Sequence, residues 1–277
     1  MIGAMTALNW QVLAIEANTS RRHPLSLRSM PAPYRIFLAL FAISLFSCAS
    51  SDEAKKQRTV DDVWASAKKS YDDGDWLDAQ SGMEVIKLQY PASQYADDAQ
   101  YYLAEITFER GEFIMAAFNY NLIRRSYPSS EFVRPAMYKT ALCYDKISLP
   151  ADRDQENTRK ALQAYADYQA MFMSDSLSRE AAVRTRELRD RLAERNWIIA
   201  EHYMRTQARR AASIHLDAII DEYPDSKWLE KAMVLKLQIL EWQEKNDDAR
   251  TLIAMYRRMV KDPQLKDDVD EIEKGLP

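Results

Sequence analysis

In several places the chain sets two carboxyls side by side, among them Asp52-Glu53, Asp72-Asp73, Asp97-Asp98, Asp247-Asp248 and Asp267-Asp268. Paired carboxylates can do acid–base catalysis or hold a divalent cation. Neighbouring residues on a helix point in different directions, however, so such pairs do not converge on one ligand. They suit first-turn charges and solvated faces. The histidines are His23, His202 and His215, the last two thirteen residues apart, and with no cysteine to join them they make no metal set. Glycines are too few for a phosphate-cradling loop, and no serine stands in a nucleophile elbow. No enzyme chemistry, metal or diffusible cofactor is expected. Of the two cysteines, Cys143 lies in YKTALCYDK beside Ala141 and Leu142 and reads as a buried, inert thiol, which leaves no disulfide framework.

Cys48 is different. Ahead of it, Ile36 to Phe46 (IFLALFAISLF) is uncharged and mostly apolar, and Arg21, Arg22, Arg28 and Arg35 precede that run. Positive charge followed by a short apolar run is the order of a secretory signal. The run is too short for a membrane-spanning helix, which needs about 20 residues. Leu45-Phe46-Ser47-Cys48 resembles a bacterial lipobox, whose cysteine is lipidated on sulfur and becomes the new N-terminus. The alternative, a cleaved signal with an incidental cysteine, fits less well, because ASSDEAKKQ after Cys48 reads as a solvated tether. Residues 1–47 are therefore assigned as signal peptide, with Met30 the expected true start, and 48–58 as a lipidated tether. A covalent lipid on Cys48 is the one added group expected. Ala49 is not the Asp that favours inner-membrane retention in enterobacterial lipoproteins, so an outer-membrane address on the periplasmic face follows.

The formal net charge is −4, and the leader before Cys48 contributes four arginines and one glutamate, so the remainder is more acidic still. No basic block exists, which argues against nucleic-acid binding. Abundant Ala, Leu, Glu, Lys, Arg and Gln with five glycines favour an all-α protein.

A repeat organises residues 59–277. YDDGDWLDA (Tyr71 to Ala79) returns as FERGEFIMA (Phe108 to Ala116), offset by 37 residues, and the same offset links Pro91 to Pro128 and Ser93 to Ser130. The signature Tyr-Pro-x-Ser-x-aromatic occurs at 90, 127 and 223, each time with an alanine eight residues past the proline. Pro91, Pro128 and Pro224 stop one helix, Ser93, Ser130 and Ser226 are expected to cap the next, and Gly74 and Gly111 allow the tight turn inside a hairpin. Ala79, Ala116, Ala161, Ala212 and Ala249 then mark the second helices of five hairpins, with Gln207 in the glycine's place in the fourth. The repeats run approximately 60–91, 94–128, 131–173, 179–224 and 227–262, followed by a C-terminal helical tail. Period and residue order resemble the tetratricopeptide repeat, which predicts a right-handed superhelical solenoid with a groove. The third repeat is longer by eight residues, which fall in SLPADRDQENT, and its Tyr-Pro stop is degraded to Phe172-Met173. An insertion that breaks a regular period and carries Asp152, Arg153, Asp154 and Arg159 is read as a partner-binding or groove-shaping device.

Across residues 48–277 the chain resembles the BamD family, lipoprotein subunits of the β-barrel assembly machinery of Gram-negative outer membranes. The resemblance rests on the lipobox, YPASQYADDAQYYLAE, YPSSEFVRPAMYKTALCYDK, DRDQENTRKAL (Asp152 to Leu162), LRDRLAERNWIIAEHYMRTQARRAA and DEYPDS. It implies a non-catalytic subunit whose N-terminal repeats meet unfolded outer-membrane proteins. Its C-terminal repeats would dock the POTRA region of BamA, with Trp228 among the anchors, alongside other assembly-machinery subunits. Where some relatives carry an interface arginine on the second helix of repeat four, this chain has His215, which is mostly uncharged at neutral pH. A lipid-anchored periplasmic scaffold of the Tol-Pal or cell-division type is the alternative, disfavoured by the Asp152 insertion and by the lack of an N-terminal coiled coil. A lytic transglycosylase is disfavoured for want of room for a catalytic domain after Ala249.

Overall fold

The computed structural model describes residues 58–277, so Cys48 and the leader lie outside the described residues. Eleven α-helices and no strand are found there: α1 Val60–Asp72, α2 Trp76–Gln89, α3 Ala96–Glu109, α4 Phe113–Ser126, α5 Val133–Lys146, α6 Glu156–Met171, α7 Ser176–Arg205, α8 Arg209–Glu222, α9 Leu229–Trp242, α10 Asn246–Met259 and α11 Lys266–Gly275. Helices α1 to α10 pair into five hairpins. Each helix packs chiefly on its neighbours in sequence, with α5 on α7 and α9 on α11 as the further contacts, and α11 closes the C-terminal end. This is an all-α repeat solenoid.

Four of the five hairpin turns are one structure. The amide N–H groups of Asp75, Glu112, Ala208 and Lys245 each donate to the carbonyl five residues back, at 2.8 to 3.0 Å, which closes a Schellman turn around one left-handed residue. That residue is Gly74 (φ 81°), Gly111 (φ 75°), Gln207 (φ 59°) or Glu244 (φ 56°). A Cβ at Gly74 or Gly111 would meet nothing within 4 Å. Backbone conformation alone therefore asks for glycine, and Gln207 and Glu244 carry the cost of a side chain there.

Between hairpins, Tyr90, Tyr127 and Tyr223 are the C-caps, and two linked turns follow each. The serines act differently from the expected helix cap. Ser130 and Ser226 accept from the amide N–H of Phe132 and Trp228 at 3.1 Å, and those aromatics, not the serines, are the N-caps. Ser93 makes no such bond. A serine so placed stabilises the turn, because its hydroxyl reaches only two residues ahead. At the degraded signature, Asp175 takes the serine's position: its carboxylate accepts from the Leu177 amide at 3.1 Å and caps α7.

Alanine makes the hairpins narrow. Ala79, Ala116, Ala161, Ala212 and Ala249 are fully buried, and a Cβ on Gly82 would lie 2.5 Å from the Ala67 Cβ, so α1 and α2 approach too closely for any larger residue. Aromatic rings join the hairpins. Trp64 stacks on Tyr95 (4.9 Å between ring centres), Tyr101 on Phe132 (4.5 Å) and Trp197 on Trp228 (5.7 Å), in every case 31 residues apart. The buried side chains form three clusters, one over α1 to α3, one over α3 to α7 and one over α7 to α11. The 30-residue α7, about 45 Å long, gives Ala181 and Leu188 to the second cluster and Ala193 and Ala200 to the third.

If the left-handed turns govern these hairpins, Gln207→Gly raises stability by about 0.5–1 kcal/mol, and Gly111→Ala lowers it by about 1–2 kcal/mol. Urea unfolding of the two variants, read as a shifted midpoint at constant slope, checks both signs.

Candidate partner-binding surfaces

The insertion of the third hairpin runs between α5 and α6 and is held from inside. Gln155 is buried, and its amide nitrogen donates to the carbonyls of Pro150 (2.7 Å), Arg153 (3.2 Å) and Leu149 (3.4 Å) while its oxygen accepts from the Thr158 hydroxyl (2.8 Å). From α7, Arg195 donates to the carbonyls of Arg153 (2.5 Å) and Ala151 (3.5 Å). Four carbonyls of the loop, those of Leu149, Pro150, Ala151 and Arg153, are thus supplied with side-chain donors. Of the charges expected here, Asp154 accepts from the Glu156 amide at 3.0 Å and serves the start of α6. The side chains of Asp152 and Arg153 are exposed and make no hydrogen bond or ion pair with other described residues. Arg159, also exposed, lies on α6 near the Tyr223 phenol; burial pushes that phenol up, and Arg159 and Arg189 pull against it.

Where hairpins two and three meet, the charges are used internally. Lys139 on α5 pairs with the buried Glu105 of α3 at 2.5 Å, and the Tyr120 hydroxyl donates to the same carboxylate at 2.7 Å. Both ions have partners, as a buried pair must to persist. Cys143 lies close by. Burial pushes its thiol up to about 12, with Lys139 opposing, so it stays protonated and unreactive. The described residues contain no group of three or more His, Cys, Asp or Glu that could hold a metal ion.

In the C-terminal half, Trp228 is half-buried and stacked on Trp197, with the ammonium groups of Lys231 and Lys227 at 5.2 and 5.8 Å from its ring. Its ring is engaged in joining two hairpins. His215 sits between α7 and α8, its Nδ1 3.0 Å from the Asn196 oxygen and its ring stacked on Tyr203. Burial, and then Arg195, hold its pKa below the ordinary value, so it is neutral at pH 7.

What remains open to a partner lies mainly on second helices. Leu77 and Ile114, at equivalent positions of α2 and α4, are exposed, as are Met115 and Phe118; Ile214 on α8 and Trp242 at the end of α9 repeat the pattern in the C-terminal half. These residues were missed in the sequence, where an apolar residue at helical spacing is indistinguishable from core. The only trace is that Leu77 and Ile114 recur one period apart. No described helix is long and apolar enough to cross a membrane.

The family model for YfiO, described as outer membrane lipoprotein, matches residues 56–253. The outer membrane protein assembly factor BamD of Vibrio cholerae is 23% identical over 216 residues, covering 74% of this chain and 90% of that protein. The protein of the same description from Neisseria gonorrhoeae is 25% identical over 234 residues, with 79% and 86% covered. That of Neisseria meningitidis serogroup B is 31% identical over 110 residues, 40% of each chain. A family model that spans four of the five hairpins and enters the fifth decides the matter: the chain belongs to the YfiO family of outer membrane lipoproteins.

Proposed function

We propose that the chain is a non-catalytic subunit of the outer-membrane β-barrel assembly machinery, anchored through a lipid on Cys48 and lying on the periplasmic face. In this reading the C-terminal hairpins bind the POTRA region of BamA, other subunits of the machinery join it, and the N-terminal hairpins meet unfolded outer-membrane proteins. Family membership supports the setting, since the relatives that this chain covers almost from end to end are outer membrane protein assembly factors. The observation that carries the division of labour is the break at the third hairpin. The buried cluster of α3 to α7 gives way to that of α7 to α11 within α7, the helix that follows this hairpin, which supports separate surfaces on the two halves. Asp152 and Arg153 stand at that break with exposed side chains that pair with no other described residue, a place where one partner could sense both halves.

Two outcomes test this. Cys48→Ala abolishes labelling by a clickable palmitate analogue and releases the protein from membranes; labelling that persists removes the anchor from the proposal. The double change Asp152→Ala, Arg153→Ala leaves thermal unfolding within about 1 kcal/mol of the parent, because neither side chain has a hydrogen-bond or ion-pair partner among the described residues, yet lowers recovery of BamA or of an unfolded outer-membrane protein from detergent-solubilised membranes. Full recovery of both at unchanged stability would strip the insertion of its partner-binding role.

A further inference from the structure

Between the α7–α8 turn and the α9–α10 turn lies an open groove of about 1050 Å3. Ala208, Ala211 and Ile214 form its apolar side on α8, and Trp242 faces them from the end of α9. Ile214 and Trp242 are 67% and 61% exposed, apolar area that is unfavourable to leave in water. A second groove of about 500 Å3 adjoins it along α8 and shares Ser213, Asp217, Gln243 and Lys245.

The charge of this groove is one-sided. Arg209, Arg210 and Lys245 line it, and its one carboxylate, Asp217, is paired with Lys236. Arg209 lies 4.2 Å from the centre of the Trp242 ring, and neither it nor Arg210 has a carboxylate partner among the described residues. Lys245 reaches Asp248 only at 3.8 Å. Both arginines stand in the first turn of α8, which holds no acidic residue, whereas α10 opens with Asp247 and Asp248. A helix N-terminus is itself positive, so two cations there oppose the helix dipole unless an outside anion meets them. All this sits on a chain of net negative charge. The groove is also flanked by the two turns that keep a left-handed side chain, Gln207 and Glu244, where the first two hairpins use glycine. Strain of that kind is retained most often at binding sites.

We infer that this groove docks an acidic segment of a partner protein that carries an apolar side chain: the apolar group lies against Trp242 and Ile214, and carboxylates meet Arg210, Arg209 and Lys245. The inference deepens the proposed function and rests on its assignment of partner holding to the C-terminal hairpins. A recessed trough with an aromatic wall admits a polypeptide, while a plane of lipid headgroups reaches only its rim. Arginine suits the task, since its planar fork can bind a carboxylate through two parallel hydrogen bonds.

Fluorescence anisotropy tests the inference on the chain from residue 48 to 277, with a fluorescein-labelled twelve-residue peptide of alternating Glu and Leu and a Lys–Leu counterpart as probes. The acidic peptide binds, binds less tightly as salt rises, and loses about tenfold in affinity with Arg210→Glu and with Trp242→Ala. Gln89→Ala, an exposed change at the end of α2 on the first hairpin, leaves binding unchanged, and circular dichroism confirms that each variant is helical. No binding of the acidic peptide, equal binding of the basic one, or indifference to both groove substitutions overturns the inference. Binding to phosphatidylglycerol vesicles in place of the peptide also overturns it, as does a dimer that Trp242→Ala dissolves. Purified BamA POTRA domains as competitor separate the two readings. Displacement of the peptide supports both. POTRA binding without any peptide binding keeps the proposed function and ends the groove inference, while peptide binding without POTRA binding does the reverse.

Discussion

An aromatic ring at the start of a hairpin, stacked on a ring in the first helix of the hairpin before it, is the contact on which the solenoid depends. A helical hairpin has two apolar faces and can bury only one by itself, so each must be docked on a neighbour in a fixed register. Trp64 with Tyr95, Tyr101 with Phe132 and Trp197 with Trp228 fix that register at three junctions. The turn between Tyr-Pro and the aromatic delivers the second ring to the right place, which is why the serine works on the turn and not on the helix. Fully buried alanines then let the backbones close in behind the rings.

The junction between hairpins three and four lacks such a ring, because Leu177 stands where the others have Tyr, Phe or Trp. Other contacts replace it. Arg134 reaches Asp175 at 2.9 Å, the Asp175 carboxylate caps α7, and α7 itself runs through into the next buried cluster. Arg189 and Asp190 of α7 then hold the following turn, through Asp225 and the Lys227 amide. The result is a splice next to the third hairpin, whose eight-residue insertion lies between α5 and α6 and so leaves the stacked junctions on either side intact. The insertion in turn is closed over Gln155 and tied to α7 by Arg195. A loop so anchored presents Asp152 and Arg153 at defined positions, which a loose loop of the same sequence would not.

Much of the fold was legible because it follows from local backbone rules. Glycine at a left-handed turn, proline after a helix end and alanine at a close approach each act on their own few residues, and repetition multiplies the signal. Glu244 was not legible in the same way, because a glutamate gives no sign that its backbone is left-handed. Asp175 and Leu177 hid the fourth copy of the inter-hairpin turn, since the function of a position survived while its residue types changed. The binding surfaces were harder. Trp228 looks like a surface anchor in sequence and is half-buried against Trp197, and the tie from Arg195 to the insertion spans more than forty residues. Neither the ring's neighbour nor the carbonyl's donor is encoded near the residue it concerns.

Separate surfaces on one splice make a claim about simultaneous binding. Isothermal calorimetry of the chain from residue 48 to 277 with purified BamA POTRA domains, repeated in the presence of a saturating unfolded outer-membrane protein, measures it directly. Independent halves predict that both bind at once and that the POTRA dissociation constant changes by less than about threefold, under 1 kcal/mol of coupling. Mutual exclusion of the two ligands, or no binding by either, would contradict it.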